Sequence, residues 1–157
     1  MNLPHQLAQR FREVYLNGRW VALTNFKDQL DQTSWQQAIQ KVGELNTIAA
    51  LTFHVNYYLA GVIQVFEGGD LTIRDKYSFD MPEVKSEEDW KALKESLYAS
   101  AAKFADHVEQ MTQEQLEAVF VKEEYGNYYR SIEGMIEHGY YHLGQISIIR
   151  KMIAEAQ

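Results

Sequence analysis

Residues 134–153 read GMIEHGYYHLGQISIIRKMI, and they set two histidines, His138 and His142, four positions apart in an apolar pattern. At 3.6 residues per turn, positions four apart lie one above the other on a helix. Both imidazoles therefore share a stripe with Met135, Gln145, Ile146, Ile149 and Ile153. Glu133, Glu137, Tyr140 and Lys151 fall on the opposite side and give the helix a wet face. The stripe that packs inward carries the histidines, so the rest of the chain has to supply their partner.

The segment 45–66, LNTIAALTFHVNYYLAGVIQVF, is the place to look, since it contains no Asp, Glu, Lys or Arg. It is long enough to cross a bilayer. Its content argues against that reading, because Asn46, Thr47, Thr52, His54, Asn56 and Gln64 would each need a partner in hydrocarbon, and no basic cluster flanks either end. A helix apolar nearly all round is expected instead to be buried from two sides in a bundle, with no membrane involved. Ala49, Phe53, Ala60 and Ile63 lie away from the His54 stripe. Left exposed they would form a larger apolar patch than a monomer normally carries, which predicts a homodimer through this helix. Coverage by the long connection that precedes the helix, within one chain, is the alternative.

The rest of the sequence reads as helices of the same bundle. Residues 3–15, LPHQLAQRFREVY, place Leu3, Leu7, Phe11, Val14 and Tyr15 on one face, with Asn2 as cap, Pro4 in the first turn and Gly18 as the stop. Ser86 followed by Glu87, Glu88 and Asp89 is a capping signature, and Trp90, Leu93, Leu97, Ala101, Phe104 and Val108 recur at helical spacing behind it. The second helix is predicted over about 46–66 and the fourth from about Asn127 to the C-terminus. The expected fold is all-α, a single domain over 1–157 built as a four-helix bundle. Its long connection between helices one and two holds a short helix at TSWQQAIQKVG, and a second connection holds GGDLTIRDKYSFDMPE. Loops of this length are expected to shape the mouth of a site held by rigid helices.

Composition narrows the function. The 157 residues include no cysteine, which excludes a disulfide framework, a Cys-type zinc knuckle and a catalytic thiol. Together with an N-terminal stretch charged like a surface helix, this places the chain in the cytoplasm by expectation. With 22 acidic against 15 basic side chains and no basic stripe, the summed field repels nucleic acid.

His54 is the simplest partner for the pair. It shares a stripe with Ala50, Leu51, Tyr58, Gly61 and Val62, and an antiparallel neighbour can bring that stripe to ligand distance of His138 and His142. Three imidazoles suit zinc, nickel, iron or copper and leave a coordination position for a small molecule. The plainer reading is three core histidines whose ring nitrogens find hydrogen-bond partners. Gln145, one turn beyond His142, stands as a candidate to orient a ligand or touch a substrate, or simply as a polar residue at the bundle end. Tyr57, Tyr58, Tyr140 and Tyr141 read as core and interface, with Tyr58 the one on the His54 stripe. His5 and His107 read as solvated. There is no His-Glu-x-x-His, Glu-x-x-His, Gly-x-Ser-x-Gly or phosphate loop.

The run IEGMIEHGYYHLGQISIIRK, with NTIAALTFHVNYYLAGVIQVF upstream, resembles the DinB-like family, also described as YfiT-like metal-dependent hydrolases. The resemblance implies a bundle with a long first connection, one metal-binding His in helix two and a His-x-x-x-His pair in helix four. His54, His138 and His142 fill those positions. It further implies a divalent transition metal, zinc or nickel above all, and a dimer. Related members are bacillithiol S-transferases and a mycothiol-dependent maleylpyruvate isomerase, which activate a low-molecular-weight thiol. The expected function is thus a thiol S-transferase, or a hydrolase if water takes the thiol's place, acting on a small-molecule substrate with the loop at Tyr77, Phe79 and Asp80 closing over it. A metal-stabilised stress-response binding module without turnover is the alternative. Beyond the metal ligands no catalytic residue is assigned.

Overall fold

The computed structural model describes residues 2–156; Met1 and Gln157, the ends of the expected domain, lie outside them. The expected helices form where their caps are. Asn2 accepts from the His5 amide and opens α1, Leu3–Arg12, whose last turn widens into a π-helical turn, Glu13–Asn17. Thr47 caps α4, Ile48–Phe66; Ser86 caps α5, Glu87–Gln110; Asn127 caps α7, Tyr128–Glu155. Three short helices complete the set: α2, Phe26–Asp31, and α3, Trp35–Ile39, in the first connection, and α6, Gln113–Glu117, before α7. Each is introduced by its own side-chain cap, Asn25, Ser34 and Thr112. The sequence reading anticipated only α3.

The four long helices close into a ring in which α4 packs on α5 and α7, and α1 packs on α5 and α7. Contacts between named residues fix the directions. Phe66 stacks on Tyr128 while His54 meets His138 and His142, so α4 and α7 are antiparallel. Asn56 donates to Ser96, and Glu67 pairs with Lys103, so α4 and α5 run parallel. Arg10 pairs with Glu133, and the Tyr15 hydroxyl donates to the Met135 carbonyl at 2.9 Å, so α1 and α7 also run parallel.

Parallel neighbours cannot be joined by a short turn. After α4 the chain has to retrace the helix's whole length, about 28 Å at 1.5 Å per residue, and residues 67–86 do so along its surface. Ile73 seats against Gly61, where a Cβ would come within 2.6 Å of its side chain. The Tyr57 hydroxyl then clamps Arg74, accepting from its amide at 2.8 Å and donating to its carbonyl at 3.0 Å. The topology therefore lays this return segment directly over the His54 face.

The core is one continuous cluster. The rings of Phe104, Phe11, Tyr15 and Phe26 stack in series at 4.3, 4.3 and 5.0 Å and tie α5, α1 and α2 together. Trp90, fully buried, donates its indole N–H to the Thr33 carbonyl at 2.8 Å and anchors the first connection on α5. Among the described residues helix α4 is the single candidate for a membrane span by length and composition, but 61% of its most apolar window is buried within the fold, as suits the core helix of a bundle. The face predicted to meet a second subunit is also largely covered from within. Ala49 and Ile63 are buried and Phe53 is half-buried, leaving Ala60 exposed. Met81–Val84 of the return segment and residues of α5 lie beside Phe53, and α3 of the first connection packs on α4 as well. Tyr140, on the wet side by helical position but read as core or interface by its aromatic character, is half-buried against the core, as the second reading has it.

Two glycines of α7 make opposite predictions. A Cβ on Gly139 would sit 2.7 Å from the fully buried Tyr15 hydroxyl, whereas one on Gly144 meets open space. Gly139→Ala is expected to cost about 1–3 kcal/mol through overpacking. Gly144→Ala is expected to stabilise by up to about 1 kcal/mol, the helix-propensity difference. Urea denaturation of the two variants checks both signs.

Candidate metal centre

The antiparallel contact of α4 and α7 puts His54 opposite the pair that one turn of α7 stacks together. The Nε2 of His138 lies 3.3 Å from that of His54 and 2.9 Å from that of His142. One ligating nitrogen from each ring lies within 4.8 Å of the other two. Nitrogens held about 2.0–2.1 Å from a zinc ion would lie about 3.3 Å apart at tetrahedral angles and about 2.9 Å at right angles. The spacing fits a metal.

The proton arithmetic fits it too. Gln145 Oε1 accepts from His142 Nδ1 at 2.6 Å. A neutral imidazole has one proton, so His142 presents its Nε2 lone pair to the centre. The Nδ1 atoms of His54 and His138 are buried without a hydrogen-bond partner. Protons on Nδ1 leave those donors unpaired and turn three Nε2 lone pairs on one another. Moving protons to Nε2 instead leaves Nδ1 acceptors stranded. Either arrangement strands buried polar groups at about 1–3 kcal/mol each. A cation that takes all three lone pairs removes the repulsion between them.

Burial keeps the rings neutral and ready to ligate. His54 and His142 are 8% and 6% exposed, and His138 is the most open of the three. Burial, and then the charges of His142 and His54, push His138 down to about 4. His142 is lowered by burial, against the pull of its bond to Gln145. His54 is lowered by burial and by His142, while the Ser78 backbone and the Asp75 charge pull the other way.

Aromatic rings fix the imidazoles in place. Phe79 stacks on His54 at 4.2 Å and 12°. The Tyr58 ring stands edge-on to His54 at 5.0 Å and to His138 at 5.3 Å, and Tyr141 stands edge-on to His142 at 4.9 Å. The Tyr58 hydroxyl donates to Asp75 Oδ1 at 2.7 Å and ties the return segment to the ring that braces two of the histidines. Of the loop expected to close over the site, Phe79 stacks on His54 while itself 42% exposed, and Tyr77 and Asp80 are exposed. Tyr141, expected in core or interface, is 65% exposed. Asp75 and Ser78 escaped the sequence reading, since nothing local in DKYSFD marks them and the return path alone brings them to His54. His5 is exposed and pairs with Glu109, as expected of a solvated residue, whereas His107 is half-buried against the Phe66 ring and near Glu67.

Two cavities flank the centre without enclosing it. One, of about 300 Å³, is lined by Leu51 of α4, by Gln145, Ile148 and Ile149 of α7, and by Glu44, Leu45 and Asn46 just before α4; the other, of about 380 Å³, is lined by Tyr58, Asp75, Val62 and Phe120 among others.

A family model described as the DinB superfamily matches residues 15–146, a span that takes in His54, His138 and His142. Comparison with curated proteins and with solved structures returned no match.

The lowered imidazoles set a pH signature. Between pH 6.5 and about 4 the unfolded chain binds protons at His138 that the metal-free folded state refuses, so folding stability should fall as pH is lowered through that window. In urea titrations of metal-free protein at pH 7, 6 and 5, His138→Gln is expected to show a shallower loss than the parent. Equal slopes would contradict the assigned shift.

Proposed function

Because the chain belongs to the DinB superfamily, we propose that it is a metal-dependent enzyme in which His54, His138 and His142 hold one divalent transition ion, zinc or nickel, for attack on a small electrophile by a low-molecular-weight thiol or by water. One observation carries the reading: three neutral imidazole nitrogens converge, and among the described residues no fourth His, Cys, Asp or Glu joins the group. Structural zinc sites usually complete four protein ligands, and three-ligand sets usually keep a position open for chemistry. A bound divalent ion would supply Lewis acidity, making a thiol or water nucleophilic at neutral pH.

The chain's own residues supply the rest. Gln145 holds His142 in the tautomer that ligates, a role typical of the hydrogen-bond partners behind metal ligands. Phe79 and Tyr58 hold His54 against rotation and screen it from bulk water. The open side lies at His138, the most exposed of the three rings, so the electrophile is expected to approach there. The absence of cysteine means that no thiol of the chain competes for the open position, so an attacking thiol must come from outside.

Elemental analysis of untagged protein is expected to find close to one zinc or nickel per chain, and His138→Ala to lose it. Incubation with a small thiol and a chromogenic electrophile should then give turnover that His54→Ala abolishes. Ester hydrolysis without thiol would select the hydrolase. Full metal occupancy with equal rates in parent and variant across thiols and esters would leave a metal-stabilised binding module.

A further inference from the structure

The amide of Gln145 has two ends, and the metal centre uses one. Its Oε1 accepts from His142 Nδ1 at 2.6 Å, which turns the two Nε2 hydrogens elsewhere. Among the described residues no acceptor takes them. Gln145 lines the cavity of about 300 Å³ whose walls are Leu45, Leu51, Ile148 and Ile149, with Glu44 and Asn46 lining it as well. Leu45 and Ile148 are 46% and 58% exposed, so the cavity opens to solvent.

We propose that this cavity is a binding site for a small, neutral, largely apolar molecule bearing a carbonyl oxygen, such as a ketone or an ester, which accepts from Gln145 Nε2. The inference rests on the reading of His142 as a metal ligand and adds the class of molecule recognised beside it. The apolar walls select an apolar body, and the side-chain amide N–H bonds of Gln145 and Asn46 select an acceptor on it. No basic residue lines the cavity and Glu44 does, so a carboxylate would meet uncompensated negative charge. A cationic amine drawn to Glu44 finds no acceptor at Gln145, whose oxygen is engaged, and so leaves the bond to His142 unchanged.

The geometry gives the coupling a sign. An acceptor on Nε2 polarises the amide and makes Oε1 a stronger acceptor, since linked hydrogen bonds reinforce one another. That strengthens the bond from His142 Nδ1 and makes Nε2 a better metal ligand. The ligand therefore tightens metal binding, and by linkage the metal tightens the ligand by the same factor.

Cyclohexanone serves as probe, and Gln145→Glu separates the two ends of the amide because a carboxylate still accepts from His142 but cannot donate. In zinc titrations against a competing indicator, saturating cyclohexanone should raise the parent's zinc affinity about fivefold or more. Gln145→Glu should keep zinc and lose the response to the ketone. Gln145→Leu should lose both, with zinc affinity down about 10–100-fold. In metal-free parent, the Gln145 side-chain amide resonances should shift saturably with cyclohexanone, a readout that needs neither zinc nor turnover. A ketone-dependent amide shift in a parent that fails to bind zinc would sink the metal reading and leave the cavity assignment standing. Absence of a saturable shift at Gln145, or a ketone response in Gln145→Glu equal to the parent's, would overturn the assignment.

Discussion

Three imidazole nitrogens held 2.9 and 3.3 Å apart in sequence around His138 are the constraint on which the rest of this structure turns. Such a cluster is unfavourable alone, because neutral rings at this spacing either oppose lone pairs or strand buried donors. The fold has to hold it together from outside. It does so with the antiparallel pairing of α4 and α7, with the i,i+4 stacking of His138 and His142, and with aromatic rings that leave each imidazole little rotational freedom.

The bundle's connectivity follows the same logic. Parallel α4 and α5 demand a chain that runs back along α4, and that chain carries Phe79 onto His54, Asp75 onto Tyr58 and Ser78 beside both. Gly61 admits Ile73 because it has no Cβ, which keeps the return segment close to the helix. The segment that a simpler up-and-down bundle would dispense with is here the cover of the site. Gln145, on the other flank, sets the His142 tautomer and opens onto a cavity.

Much of this was legible in the sequence. The 3.6-residue period put His138 and His142 on the inward stripe, the uncharged run around His54 marked the helix they meet, and Asn2, Ser86 and Asn127 marked helix starts that the structure confirms. Helices α2 and α6 were missed because six and five residues are too few for periodicity to show. Their caps were the available signal, and the Thr112–Gln115 capping box was the clearer of the two. Asp75 and Ser78 were not legible, since a parallel helix pair and its return path are tertiary facts with no local trace. The burial of Ala49 and Ile63 within one chain stood only as the alternative to a second subunit, because whether an apolar face meets its own chain or another depends on where the chain goes next.

X-ray absorption at the zinc edge of metal-loaded protein tests the central claim most directly. The account predicts a first shell with three imidazole nitrogens at about 2.0–2.1 Å, the remainder light atoms from solvent, and no sulfur. A spectrum of fully solvated zinc, or one in which His54→Ala leaves the number of imidazole ligands unchanged, would contradict it.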